Sequence, residues 1–353
     1  MQNIIIIPLF IVFLTFHPNV SHALDSVAVR QNADSNVVTI NGKIVEYSGI
    51  SGLVIVTQAN EKHSIPLEQI VNVTPERLQV HKIADEAFTE KRDYVSALAL
   101  YEDSRKQESP PERKWIRNLI TAQIARCYTA LGKQTEASNE FFVLCRSDLF
   151  TPHLEAAPLL WFPPSGRTSF TATPLETAAA RLLDNGSTSP PALLLVSSIL
   201  AVSPVQELRS RGIEQLRYLS RPPEKTQADN EQTIRVQVAR LATALLWRTQ
   251  YVVTSKNFET IRKERENIIN ALPQNLRAGA YYLLADAYYQ RNENEQAVIN
   301  WMRLPILYPE NRPLAARSLQ DSARALRQLG RTEQAESLLR EVANQYKEFT
   351  DGM

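Results

Sequence analysis

The chain has 353 residues, 44% of them hydrophobic and 22% charged, which is ample for a buried core and too long for one ordinary domain. Its 39 Lys and Arg nearly cancel its 38 Asp and Glu, and a net charge of +1 speaks against a nucleic-acid or membrane-surface binder. Twenty prolines against ten glycines leave few residues for tight hairpins or phosphate loops and favour helix starts and linkers.

The chain opens with "MQNIIIIPLFIVFLTFHPNVSHALDS", which resembles a secretory signal peptide. The apolar run from Ile4 to Phe16 covers thirteen residues, against the roughly twenty needed to span a bilayer. Ser21 and Ala23 are small residues where a signal peptidase reads, so residues 1–23 are expected to be removed and Leu24 to begin the mature protein. No Lys or Arg precedes the run, and a retained anchor is the alternative. No later stretch is long and apolar enough to span a membrane, so the expected location is extracytoplasmic, periplasmic or secreted.

Residues 24–76 are rich in strands. "VVTINGKIVEY" sets Asn41-Gly42 between two β-branched runs and predicts a hairpin. "LVIVT" (53–57), "HSIPL" (63–67) and "IVNV" (70–73) complete five short strands, a small curled sheet or partly closed barrel. The spacing resembles an SH3-like or Sm-like barrel. Some such barrels bind RNA, but residues 24–74 carry five acids (Asp25, Asp34, Glu46, Glu61, Glu68) against three bases (Arg30, Lys43, Lys62), which opposes phosphate binding. A packing or docking module is expected.

From residue 77 the pattern turns helical. In "YYLLADAYYQRNENEQAVINW" (281–301), Ala285 and Ala297 are small residues at which two helices approach, Tyr288 and Trp301 are large fillers beside the contact, and "RNEN" is the turn. Pro309 ends the pair. The template recurs as Ala125, Tyr128, Gly132, Ala137 and Phe141, and again as Ala323, Leu326, Gly330, Ala335 and Leu339. A further copy has Phe88, Ala97 and Tyr101, with Asp85 at the small position. This spaced pattern resembles the tetratricopeptide repeat (TPR). The resemblance implies a TPR-like helical-hairpin solenoid, so the expected fold is mainly α, preceded by the small all-β, barrel-like domain. It also implies a non-catalytic protein that holds peptides in the groove made by its first helices.

The expected organisation is a signal peptide at 1–23, the β domain at 24–76, TPR-like repeats at 77–152, a Pro/Ser/Thr-rich linker with a short helix at 153–190, degenerate helical repeats at 191–275 and TPR-like repeats at 276–353. Within 191–275, Ile234, Val238, Leu241 and Leu245 keep helical spacing, 258–272 offers another helix, and 191–204 pairs with 205–220. Trp161 and Phe162, in "LLWFPPSGRTSFTATP" (159–174), are expected to be buried against the array, a docking patch being the alternative. Cys127 and Cys145 fall on two helices of one pair, with Cα atoms about 10 Å apart, beyond disulfide reach.

His63, His81 and His153 show no zinc spacing, and there is no nucleophile elbow or glycine-rich phosphate loop. Neither catalysis, a cofactor nor a metal is therefore expected. The leading expectation is an extracytoplasmic scaffold whose partner is another protein or a peptide, not nucleic acid. The alternatives are an architectural protein of the cell envelope or surface and, weakest, a divergent hydrolase. In the last repeat Leu319, Ser322, Ala323 and Leu326 make the packed stripe, while Arg317, Gln320, Arg324 and Arg327 share another face. By the family's geometry that face looks into the groove, beside Tyr282, Asp286 and Tyr289 of the preceding repeat. These seven residues suit an acidic or carboxy-terminal peptide, arginines pairing with carboxylates and rings supplying apolar contact.

Overall fold

The computed structural model describes residues 24–30, 36–108, 113–163, 171–186, 189–223, 229–249 and 257–349. The expected signal segment at 1–23 lies outside them. Among the described residues the fold is mainly helical, with thirteen α-helices after a five-stranded antiparallel sheet. No described helix is long and apolar enough to cross a membrane.

The sheet has strand order β4-β3-β2-β1-β5. β1 is Asp25–Val29, whose alternate residues Asp25, Val27 and Val29 are buried. β2, Val38–Ser48, runs straight through Asn41-Gly42, so the expected hairpin does not form. Residues 38–42 pair with β1 and 43–48 with β3, Gly52–Val56. Gly42 serves close approach instead of a turn: a Cβ there would meet the Val56 carbonyl oxygen at 2.4 Å. The count of five strands stands because β1 replaces the lost one. β4, Lys62–Ile65, and β5, Ile70–Thr74, lie at the two edges.

The sheet is not a free-standing head. Val27, Ile44, Leu53, Ile55 and Ile65 share one core with α1 (Gln79–Thr89), α2 (Tyr94–Gln107) and α3 (Lys114–Ala130). The Trp115 indole donates to the Ile44 carbonyl at 3.2 Å. The carboxylate of Asp25 accepts from the Ile44 and Glu76 amides, at 2.7 and 2.6 Å. Two connections of the sheet are held by Asn230, which accepts from the Leu67 amide at 2.8 Å and donates to the Ile50 carbonyl at 3.0 Å.

The helical hairpins follow the small-residue template. Ala97, Ala125, Ala137, Ala285, Ala297, Ala323 and Ala335 are all at most 1% exposed, which lets helix axes approach. Trp301, Tyr101 and Phe141 are among the largest wholly buried side chains and fill the space beside those contacts. α3 pairs with α4 (Gln134–Ser147), α10 (Ala278–Gln290) with α11 (Asn294–Leu307), and α12 (Arg312–Gln328) with α13 (Thr332–Gln345). Gly132, Asn292 and Gly330 take φ of 71°, 61° and 74° in the three turns. Both cysteines are free and buried, and burial pushes each thiol up to about 12.

Between these hairpins lie α5 (Pro174–Asp184), α6 (Pro190–Leu200), α7 (Gln206–Leu219), α8 (Asp229–Leu246) and α9 (Phe258–Ala271). The packing order makes a circuit. α4 lies on α6, α6 on α8, α8 on α10, α10 on α12, and α12 returns to α3. Arg312 at the start of α12 marks this closure: its guanidinium lies 5.6 Å from the Tyr94 ring and 4.9 Å from the Tyr346 ring.

Candidate functional site

From Asp148 to Pro163 the chain has no α-helix, only a short 3-10 turn at Leu154–Ala156. Pro152, Pro158 and Pro163 account for this, since proline fixes φ and lacks the helix-forming N–H. This strap lies against every member of the circuit, or the turn that follows it. The Pro158 carbonyl accepts from Gln134 Nε2 on α4 at 2.5 Å. The Leu160 amide donates to Ser198 Oγ on α6 at 3.3 Å, and the Leu160 carbonyl accepts from Arg248 Nη1, just after α8, at 2.6 Å. Trp161 covers Gly279 of α10 so closely that a Cβ there would stand 1.9 Å from the indole ring. Phe162 lies 5.5 Å from the Tyr282 ring and 5.8 Å from the Arg317 guanidinium of α12. Trp161 is therefore buried, as expected.

Past Phe162 the inner face opens into a cavity of about 390 Å³. Tyr282, Asp286 and Arg317, three of the residues expected in a groove, line it together with Arg209 of α7 and Arg248. Tyr282 is buried, and its hydroxyl donates to Asp321 Oδ2 at 2.8 Å. Arg317 Nε donates to the same oxygen at 3.0 Å, and Arg324 pairs with Asp321 at 3.1 Å. Burial pushes the carboxyl of Asp286 above its ordinary range, the charge of Asp321 adds to this, and a hydrogen bond from Gln290 opposes it. Burial also lowers Arg248 to about 10.

The remaining expected residues sit apart from the cavity. Tyr289 packs on Trp301 at 5.5 Å, and its hydroxyl accepts from Gln328 Nε2 at 2.8 Å. Gln320 is half-buried, Arg324 is exposed, and the exposed Arg327 pairs with Glu336 of α13 at 2.6 Å. The seven residues thus divide into an inner three and an outer four. Sequence reasoning missed Asp321, Arg209 and Arg248. Asp321 stands four residues after Arg317 and three before Arg324, a helical ion-pair spacing that was readable. Arg209 and Arg248 reach the site only through the circuit, and local spacing carries no sign of that.

Among the described residues no group of three His, Cys, Asp or Glu side chains is placed to hold a metal ion. His153 lies instead 3.5 Å from Glu155 and edge-on to Tyr47. Compared with protein-family models and with curated proteins, the chain matches none.

Proposed function

We propose that the protein is a non-catalytic scaffold of an extracytoplasmic compartment, built from tetratricopeptide-like helical hairpins, that binds another protein or a peptide through its inner, concave surface. One observation carries this reading. The inner face already grips an extended polypeptide, its own strap, through side-chain bonds to main-chain carbonyls and through seats for Trp161 and Phe162. Main-chain bonds for affinity and side-chain seats for selectivity are the means by which surfaces hold extended peptides. Because Phe162 covers Tyr282 and Arg317, the partner meets the rim carrying Tyr289, Gln320, Arg324 and Arg327. The small sheet is read as an SH3-like barrel that braces the first hairpins, a reading supported by the long β2 shared between its two halves.

The test replaces Gln320, Arg324 and Arg327 with alanine and leaves Arg317, which holds Asp321, in place. Wild-type protein should recover a discrete, stoichiometric partner from the exported fraction. The triple variant, melting at the same temperature, should bind that purified partner about tenfold more weakly, a loss of about 1.4 kcal/mol. Equal affinity removes the rim from the reading, and association with insoluble wall or membrane material alone favours the architectural role. Export is checked separately: amino-terminal sequencing should begin at Leu24, and intact Met1 on membrane-bound material excludes cleavage.

A further inference from the structure

We propose that the cavity beside Phe162 is a binding site for a small organic acid, a single carboxylate carried on an apolar body. This goes beyond the scaffold reading and does not depend on it. Three arginines, from α7 (Arg209), from the turn after α8 (Arg248) and from α12 (Arg317), line one cavity of about 390 Å³. That size falls within the roughly 300–1,000 Å³ typical of small-ligand pockets.

The charge of the lining selects an anion. Arg317 is bonded to Asp321, which Arg324 also meets, and Asp286 is the one carboxylate among the described lining residues. Arginines outnumber carboxylates along the described lining, which favours an anionic ligand over a neutral one. Arg248 supplies the donor. Its Nη1 is spent on the Leu160 carbonyl, while its Nη2 is buried with no hydrogen-bond partner. A buried cationic donor without an acceptor costs free energy that an incoming carboxylate oxygen recovers, and the planar guanidinium fork matches a carboxylate. Phe162 and Ile213 form an apolar wall of the same cavity, which suits a hydrocarbon body better than inorganic phosphate.

The test is calorimetry on the purified full chain, with phenylacetate, hexanoate, the uncharged phenylacetamide and inorganic phosphate as probes. At least one acid should bind at one per chain. Phenylacetamide and phosphate should bind about tenfold more weakly or not at all. Arg209 is exposed and bears only a long 3.5 Å contact to the Ser203 carbonyl, so Arg209→Ala should fold normally. It should weaken the acid about three- to tenfold. Arg248→Gln should abolish binding, but Arg248 also holds the strap, so Arg209→Ala is the deciding variant. Arg340→Ala, exposed on α13 and outside the cavity, should leave the affinity unchanged. No saturable acid binding at millimolar concentration, equal binding of phenylacetamide or phosphate, or wild-type affinity in Arg209→Ala overturns the proposal. None of these outcomes bears on partner recovery through the rim.

Discussion

His81 of α1 is wholly buried, and neither of its ring nitrogens has a hydrogen-bond partner. Burial lowers its pKa to about 4, reinforced by Arg77 and Arg113 and opposed by Asp85. The unfolded chain therefore takes up a proton near pH 6.5 that the folded chain refuses. The stability is complete above that pH and is lost as pH falls toward 4, by about 3 kcal/mol in all. Urea unfolding of wild type and His81→Leu at pH 7 and pH 4 should show the wild type losing that much more than the variant; parallel losses would refute it. Asp85 is instructive beside it. It stands where the repeat template wants a small residue, yet α1 forms, because the Tyr101 hydroxyl of α2 donates to it at 2.7 Å and Arg77 pairs with it. The alanine positions were legible because close approach permits little else. The role of Asp85 was not, since its partner Tyr101 lies across a helix pair.

At the level of elements, the sequence conveys periods more surely than it conveys what breaks them. Helices α8 and α9 stand where 3.6-residue spacing puts them, whereas Asn41-Gly42 reads locally as a turn and is overridden by pairing with two different strands. Gly42→Ala should destabilise by about 1–3 kcal/mol, the usual cost of overpacking. Asn41→Thr, exposed and in mid-strand, should stay within about 0.5 kcal/mol. A turn would reverse that order, and thermal melts of both variants decide it. The strap shares residues 153–163 with the expected Pro/Ser/Thr-rich linker. Prolines and the absence of a period mark it as irregular, but whether an irregular segment lies outside or inside is a matter of tertiary packing. Gly279→Ala tests its seat on α10. Alanine gains about 1 kcal/mol of helix propensity, yet its Cβ would enter the Trp161 ring. A net loss of about 1–3 kcal/mol is expected in denaturant unfolding, and a stabilised variant would mean that the indole moves aside freely.

Across the whole molecule, the return of α12 to α3 decides the shape, and nothing in the repeat spacing announced it. The seam includes Arg312, between two tyrosines and paired with Glu348, and Phe349 against Gly132. Arg312→Ala with Phe349→Ala should therefore raise hydrogen exchange in α2, α3 and α12 together while leaving α6 and α7 unchanged. Change confined to α12 and α13 would show that the seam bears no load. The closed circuit also restricts what lengths the fold tolerates. An open array gains or loses a unit cheaply, because each unit meets only its neighbours. Here one more hairpin between α7 and α8 would part α12 from α3, across about 200 residues of sequence, and leave the strap too short to touch every wall. The circumference is fixed by the segment that crosses it, and added length can be accommodated only in surface loops.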